Sequence, residues 1–97
     1  MNMQSIMAQA RKIQGEVEKA TKEINQTVFT YKNENVEVNL TGDNKLESVK
    51  ILNKSILEDS EILEDILYVA INDVLEQVKK EKEAKLGKYT AGMGGLF

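Results

Sequence analysis

The 97-residue sequence contains no cysteine, no histidine, no proline and no tryptophan. Without Cys no disulfide framework forms, and without Cys or His there is neither a thiolate nor an imidazole for nucleophilic catalysis or metal ligation. Without Pro no helix is interrupted by one. No stretch approaches the roughly 18 consecutive apolar residues of a membrane span. The start, MNMQSIMAQARKIQG, lacks a cationic segment followed by an apolar block, which argues against a secretory signal. Aromatic residues amount to 5%, so a chain of single-domain length has few large side chains for a core.

Charge and aliphatic residues are present in quantity. Charged residues make up 30% of the chain and hydrophobic ones 41%, a balance that suits helices with long solvated faces. In the first segment Met3, Ile6, Ala10, Ile13, Val17, Ala20 and Ile24 recur at alternating spacings of three and four. This is an a/d heptad stripe on a helix over residues 1–26, with Gly15 outward. So narrow a stripe needs a partner helix. An intrachain packing face is the plain explanation. A second copy of the chain is the preferred one, because the only other long helix is needed elsewhere.

Three strand candidates follow over 27–53. TVFTY is β-branched and aromatic, NVEVNL alternates with Val36, Val38 and Leu40 on one face, and LESVKIL places Val49 and Ile51 together. Leu46 is out of phase with that last pair, which predicts a bulge or a later strand start. Turn-rich links at 32–35 and 41–45 predict an antiparallel three-stranded meander. Its apolar face needs a cover. The sequence supplies one after Asp59-Ser60, two residues suited to cap a helix. In EILEDILYVAINDVLEQV the apolar residues occupy more than one stripe, so this helix is expected to meet the sheet and a second surface, with Tyr68 in or beside the core. The segment KKEKEAK is polar all round, with Glu76–Lys80 and Glu81–Lys85 at favourable i, i+4 spacing. The helical part is expected over 59–86, ending near Gly87, with 87–97 a flexible tail.

The net charge of −3 conceals a division. Glu58 to Glu76 holds seven acids and no base, whereas residues 77–97 hold five Lys and two acids. The first 26 residues hold Arg11, Lys12, Lys19 and Lys22 against three Glu. An acidic body can still present local cationic ends, because screening confines each charge to about 8 Å at physiological salt. A Lys/Glu-rich helix end is most often only a solvated surface, so the pattern is weak by itself.

No positive sign of catalysis emerges. Gly92, Gly94 and Gly95 do not lie between a strand and a helix and form no phosphate cradle. Glu64, Asp65 and Asp73 are better explained as helix-surface acids than as metal ligands. The expectation is no enzyme, no cofactor, no metal and no small-molecule substrate.

Taken in order, IMAQARKIQGEVEKATKEI, the V-x-V strand of NVEVNL, Gly42, LESVKI, and LEDSEILEDILYVAINDVLEQVKKEK with its EILED run and Asn72-Asp73 pair resemble the YbaB/EbfC nucleoid-associated proteins. The Gly-rich end closing in GLF fits as well. The resemblance covers nearly the whole chain. It implies an α+β fold of helix, three-stranded antiparallel sheet and long C-terminal helical segment (α-β-β-β-α), as one domain. It also implies a homodimer whose helices project like tweezers, a cytoplasmic, nucleoid-associated location in bacteria, and binding to double-stranded DNA with a role in nucleoid organisation or gene regulation. Carried onto this chain, the projecting helices hold Arg11, Lys12, Lys19 and Lys22, and Lys79, Lys80, Lys82, Lys85 and Lys88 as DNA-contacting residues. Ile6, Ala10, Ile13, Val17, Ile66, Val69 and Ile71 are the expected dimer interface. The lysines would neutralise phosphates with little sequence preference. A single Arg supplies little bidentate reading of guanine. Gln4, Gln9 and Gln14 could reach bases but are simply explained as helix surface. The competing expectation is a protein-interaction module whose projecting helices grip a protein partner.

Overall fold

The computed structural model describes residues 2–92. Its elements run α1 (Met3–Gln26), β1 (Val28–Lys32), β2 (Val36–Thr41), β3 (Leu46–Ile51), a short 3-10 helix (Lys54–Glu58) and α2 (Ser60–Gly92). The sheet is antiparallel in the order β1-β2-β3. This is the α-β-β-β-α order that the sequence implied. The Cα radius of gyration is 19.1 Å and the extents are 69 × 22 × 15 Å. A compact domain of this length would have a radius of gyration near 13 Å, so the chain is a small body with a long projection.

The body forms where the alternation in β2 meets the apolar side of α2. Val36, Val38 and Leu40 are buried, as are Ala70, Val74 and Val78, which recur every fourth residue on one side of α2. Phe29, Ile24 and Ile56 complete this core. In α2, Asp59 is the capping residue. Its Oδ1 accepts from the backbone N–H of Glu61 (3.1 Å) and Ile62 (3.2 Å). Replacing Asp59 with Ala removes both and is expected to lower stability by about 1 kcal/mol, measured by urea unfolding.

The out-of-phase Leu46 has a structural cause. Asn39 pairs with Ser48 and Leu40 with Leu46, so Glu47 is the extra residue of a bulge. The bulge returns Leu46 to the face of Val49 and Ile51. The opposite face of the sheet is polar. Across it Thr30 donates to Asn39 (2.6 Å) and Asn39 to Ser48 (2.8 Å).

Beside that ladder, Glu37 lies between Lys32 (3.7 Å) and Lys50 (3.5 Å). Asn39 Nδ2 donates to Glu37 at 3.1 Å. That hydrogen bond first, and the two ammonium groups after it, hold the Glu37 carboxyl below its ordinary value of 4.5 against a smaller opposing effect of desolvation. A carboxyl with a lowered folded pKa stabilises the fold above its unfolded pKa and loses that contribution as pH falls through the folded value. The stability difference between the native protein and Glu37→Gln should therefore shrink as pH is lowered below 4.5, measured by denaturant unfolding across pH.

Two expectations are corrected. The α2 helix does not stop near Gly87 but runs on to Gly92. Leu86 packs against the core, and Tyr89 donates its hydroxyl to Glu16 of α1 at 3.1 Å, so contacts with α1 sustain the last turns. The glycine imposes no stop, because it sits in open space on the helix. Tyr68, expected in or beside the core, is 72% exposed. The side of α2 that reaches the sheet is the Ala70–Val74–Val78 side, and Tyr68 lies well round the helix from it.

Candidate nucleic-acid interface

The projection is a helix pair. α1 and the second half of α2 pack side by side. Ala20, Glu23 and Ile24 of α1 border one depression with Glu81 and Lys85 of α2, and Glu16 meets Tyr89. Residue numbers rise along α1 as they fall along α2, so the pair is antiparallel. The heptad stripe of α1 is thus divided. Ile24 is buried, and Val17 and Ala20 are half-buried, within the same chain. Met3, Ile6, Ala10 and Ile13 are exposed.

The expected cations all lie on this projection or at its root. Arg11, Lys12, Lys19 and Lys22 are exposed on α1, away from the stripe. Lys79, Lys80, Lys85 and Lys88 are exposed on α2 and Lys82 is half-buried. They do not share one face. Lys79 and Lys82 border a groove with Asn44, Leu75, Val78 and Glu83 on the side of the β2–β3 turn. Lys80 is on the other side of α2, with Phe29, Gln77 and Ala84. Lys85 faces the groove toward α1, and the Lys88 ammonium sits 5.0 Å from the centre of the Tyr89 ring. Cations on both flanks of one rod suit contact with backbone phosphates more than reading of one base edge.

The i, i+4 spacings Glu76–Lys80 and Glu81–Lys85 do not close. Among the described residues the salt bridges are Lys32–Glu37 and Lys50–Glu37. The lysines of α2 are therefore not committed to acids among the described residues. The acids concentrate in the first half of α2, and from Asp65 to Lys85 the helix rises about 30 Å, several Debye lengths at physiological salt. Asp73 and Glu76 are nearer, and Asp73 accepts a hydrogen bond from Gln77 (2.8 Å). Among the described residues no three acidic side chains gather into a metal-binding cluster, and no helix is long and apolar enough to cross a membrane. Of the glutamines, Gln4 and Gln9 are exposed and Gln14 donates to Glu18 at 3.4 Å.

The expected interface residues are also dispersed. Ile66 and Ile71 are half-buried against the chain's own core, and Val69 is exposed. A larger apolar surface escaped the sequence reading. α2 lies chiefly over β1 and β2. Leu46 and Val49, cross-strand from the buried Leu40 and Val38, remain 48% and 41% exposed. Leu75 on the adjacent flank of α2, with Leu52, Leu57 and Ile62 elsewhere in the body, is exposed too. The excess of apolar positions in α2 was the available signal, but periodicity does not say which of them the sheet takes.

The described residues thus form a small α+β body with a projecting helix pair that carries the chain's clustered lysines. Residues 1–93 match the YbaB/EbfC DNA-binding family, and the chain belongs to that family. It is 42% identical to a nucleoid-associated protein of Lactococcus lactis subsp. cremoris, covering 96% of this chain and 97% of the relative. It is 39% identical to a nucleoid-associated protein of Enterococcus faecalis, over 98% of this chain and 94% of the relative. A nucleoid-associated protein of Ligilactobacillus salivarius is 35% identical, over 99% and 95%.

Proposed function

We propose that two copies of this chain form a tweezer-like dimer that binds double-stranded DNA mainly through phosphate contacts from the projecting helices, as a nucleoid-associated protein of the cytoplasm that organises DNA or regulates genes. The observation that carries the DNA reading is the set of lysines on the far half of α2, none of them closed into an ion pair with an acid among the described residues. Lys79, Lys80 and Lys82 are the main contacts. Lys85 and Lys88 follow, and Arg11, Lys12, Lys19 and Lys22 reinforce them from α1. The contacts neutralise phosphate charge and release counterions. With one Arg on the projection, sequence discrimination should be slight.

The dimer reading is supported by the uncovered side of the sheet. Leu46, Val49 and Leu75 expose apolar area that a second copy would remove from water, at about 25 cal/mol per Å². Burial there joins two bodies and leaves both projections free for DNA. Of the residues expected from sequence, Ile71 borders this surface and Val69 lies farther round α2.

Sedimentation at micromolar concentration should give twice the chain mass of 10.9 kDa, and Val49→Asp should give the monomer. A native monomer would end the dimer reading. For DNA, duplexes of unrelated sequence should bind with similar affinity. Strong preference for one sequence over all others would contradict a phosphate-dominated interface.

A further inference from the structure

One surface is used by neither the body nor the proposed DNA contact. The first half of α1 carries Met3, Ile6, Ala10 and Ile13 exposed in the same heptad register whose second half, Val17, Ala20 and Ile24, is packed against α2. The stripe is thus a helix-pairing surface that is half occupied. Its occupied part ends where Glu16 meets Tyr89.

We propose that the exposed half of this stripe docks on the same half-stripe of a second copy, joining the helix tips of molecules bound next to one another on DNA. The inference rests on the DNA reading above and names what that interface does next. Continuity supports it: the free positions prolong an interface that already pairs two helices within the chain. Charge supports it as well. The positions flanking the free stripe, where coiled coils place the charges that choose a partner, are the uncharged Asn2, Met7, Gln9 and Gln14, with one charge, Glu16, only at its inner end, where the carboxylate accepts from Tyr89. Two copies meeting over residues 2–14 of this flank encounter no like charge, and an acidic or basic partner would find no opposite charge there to select it. Arg11 and Lys12 lie away from the stripe and stay available to phosphates. The free stripe spans about two heptads, too short for a stable pair in free solution. DNA binding supplies the missing term, because copies on one duplex hold their tips at high effective concentration. The result is cooperative binding along long DNA without tip pairing in the free protein.

The test compares the native protein with Ile6→Gln/Ile13→Gln, which keeps the charge and helix propensity of α1. Binding is measured by anisotropy on a duplex just long enough for one dimer and on a duplex long enough for many. Met3→Gln/Met7→Gln is a second variant should the first lose helicity by circular dichroism. The native protein should bind the long duplex with a Hill coefficient above one. The variant should lose that cooperativity and keep the native affinity for the short duplex. Equal cooperativity in native protein and variant, or none in the native protein, would overturn the docking of tips while short-duplex binding leaves the DNA reading intact. Failure of the native protein to bind either duplex would overturn the DNA reading and the tip docking with it.

Discussion

Changing Lys79, Lys80, Lys82 and Lys85 together to Glu is expected to abolish DNA binding at physiological salt. Each phosphate contact releases a counterion and contributes roughly fivefold in affinity near 0.15 M salt. Lys85 faces the groove toward α1 and so contributes less than the other three. Three lost contacts amount to about a hundredfold, and the four reversals, each of −2, take the chain from −3 to −11 and add repulsion. The fold should survive. Three of the four side chains are exposed, no ion pair is broken, and Lys and Glu have similar helix propensity. Helicity by circular dichroism checks the fold, and anisotropy with a random-sequence duplex checks binding. Unchanged affinity in a folded variant would place the contact elsewhere. The arrangement of the lysines adds a finer expectation. Lys79→Glu/Lys82→Glu alters one flank of α2 and Lys80→Glu the other, and each should weaken binding if DNA is gripped from both sides.

The largest expected effect on stability comes from one atom group at Gly42. This residue sits at the head of the β2–β3 turn, against the end of α1. Its N–H donates to the Thr27 carbonyl at 3.1 Å. A Cβ added there would fall on the backbone carbonyl of Ile24 and within 2.8 Å of Ile24 Cγ2. The first obstruction is backbone, so no rotamer change relieves it. Either α1 lifts from the sheet or the turn shifts, and Ile24 is part of the core. Gly42→Ala is expected to cost about 3 kcal/mol. For a domain of this size that lowers the melting temperature by about 15 °C. Thermal unfolding followed by circular dichroism measures it. Gly15→Ala is the control, because nothing lies near a Cβ at that position, and it should stabilise α1 slightly. A melting temperature for Gly42→Ala within a few degrees of the native one would mean that the junction of α1 and the sheet is looser than its packing indicates.

Which parts of the fold were legible in the sequence follows from how local their causes are. Val36, Val38 and Leu40 alternate because one strand face is buried, and that face is where the structure buries them. Leu46 broke the phase of β3 because Glu47 is a bulge residue, so an irregularity in the pattern carried structural information. The end of α2 was less legible. Gly87 resembles a stop signal locally, but contacts of Leu86 and Tyr89 made across the chain carry the helix onward. Tyr68 and Ile66 show a related difficulty. In a helix apolar on several sides, pattern alone does not tell which side the sheet takes, and that choice left Tyr68 in water and Ile66 against the core. The α1 stripe was recognised, but its division between an intrachain half and a free half depends on where α2 ends. The candidate site was legible as composition, five Lys beyond an acidic stretch. Its distribution over both flanks of one rod required the fold.

The most direct test is the affinity of the native protein for a random-sequence duplex, measured by fluorescence anisotropy from about 50 to 200 mM salt. Phosphate neutralisation by the lysines of the projecting helices predicts a straight line of log affinity against log salt, with a steep negative slope that counts the phosphates engaged. Absence of binding even at the lowest salt, or affinity indifferent to salt, would contradict it. The first result would mean that the acidic half of α2 dominates the approach to DNA, and the second that the contact is not with phosphates.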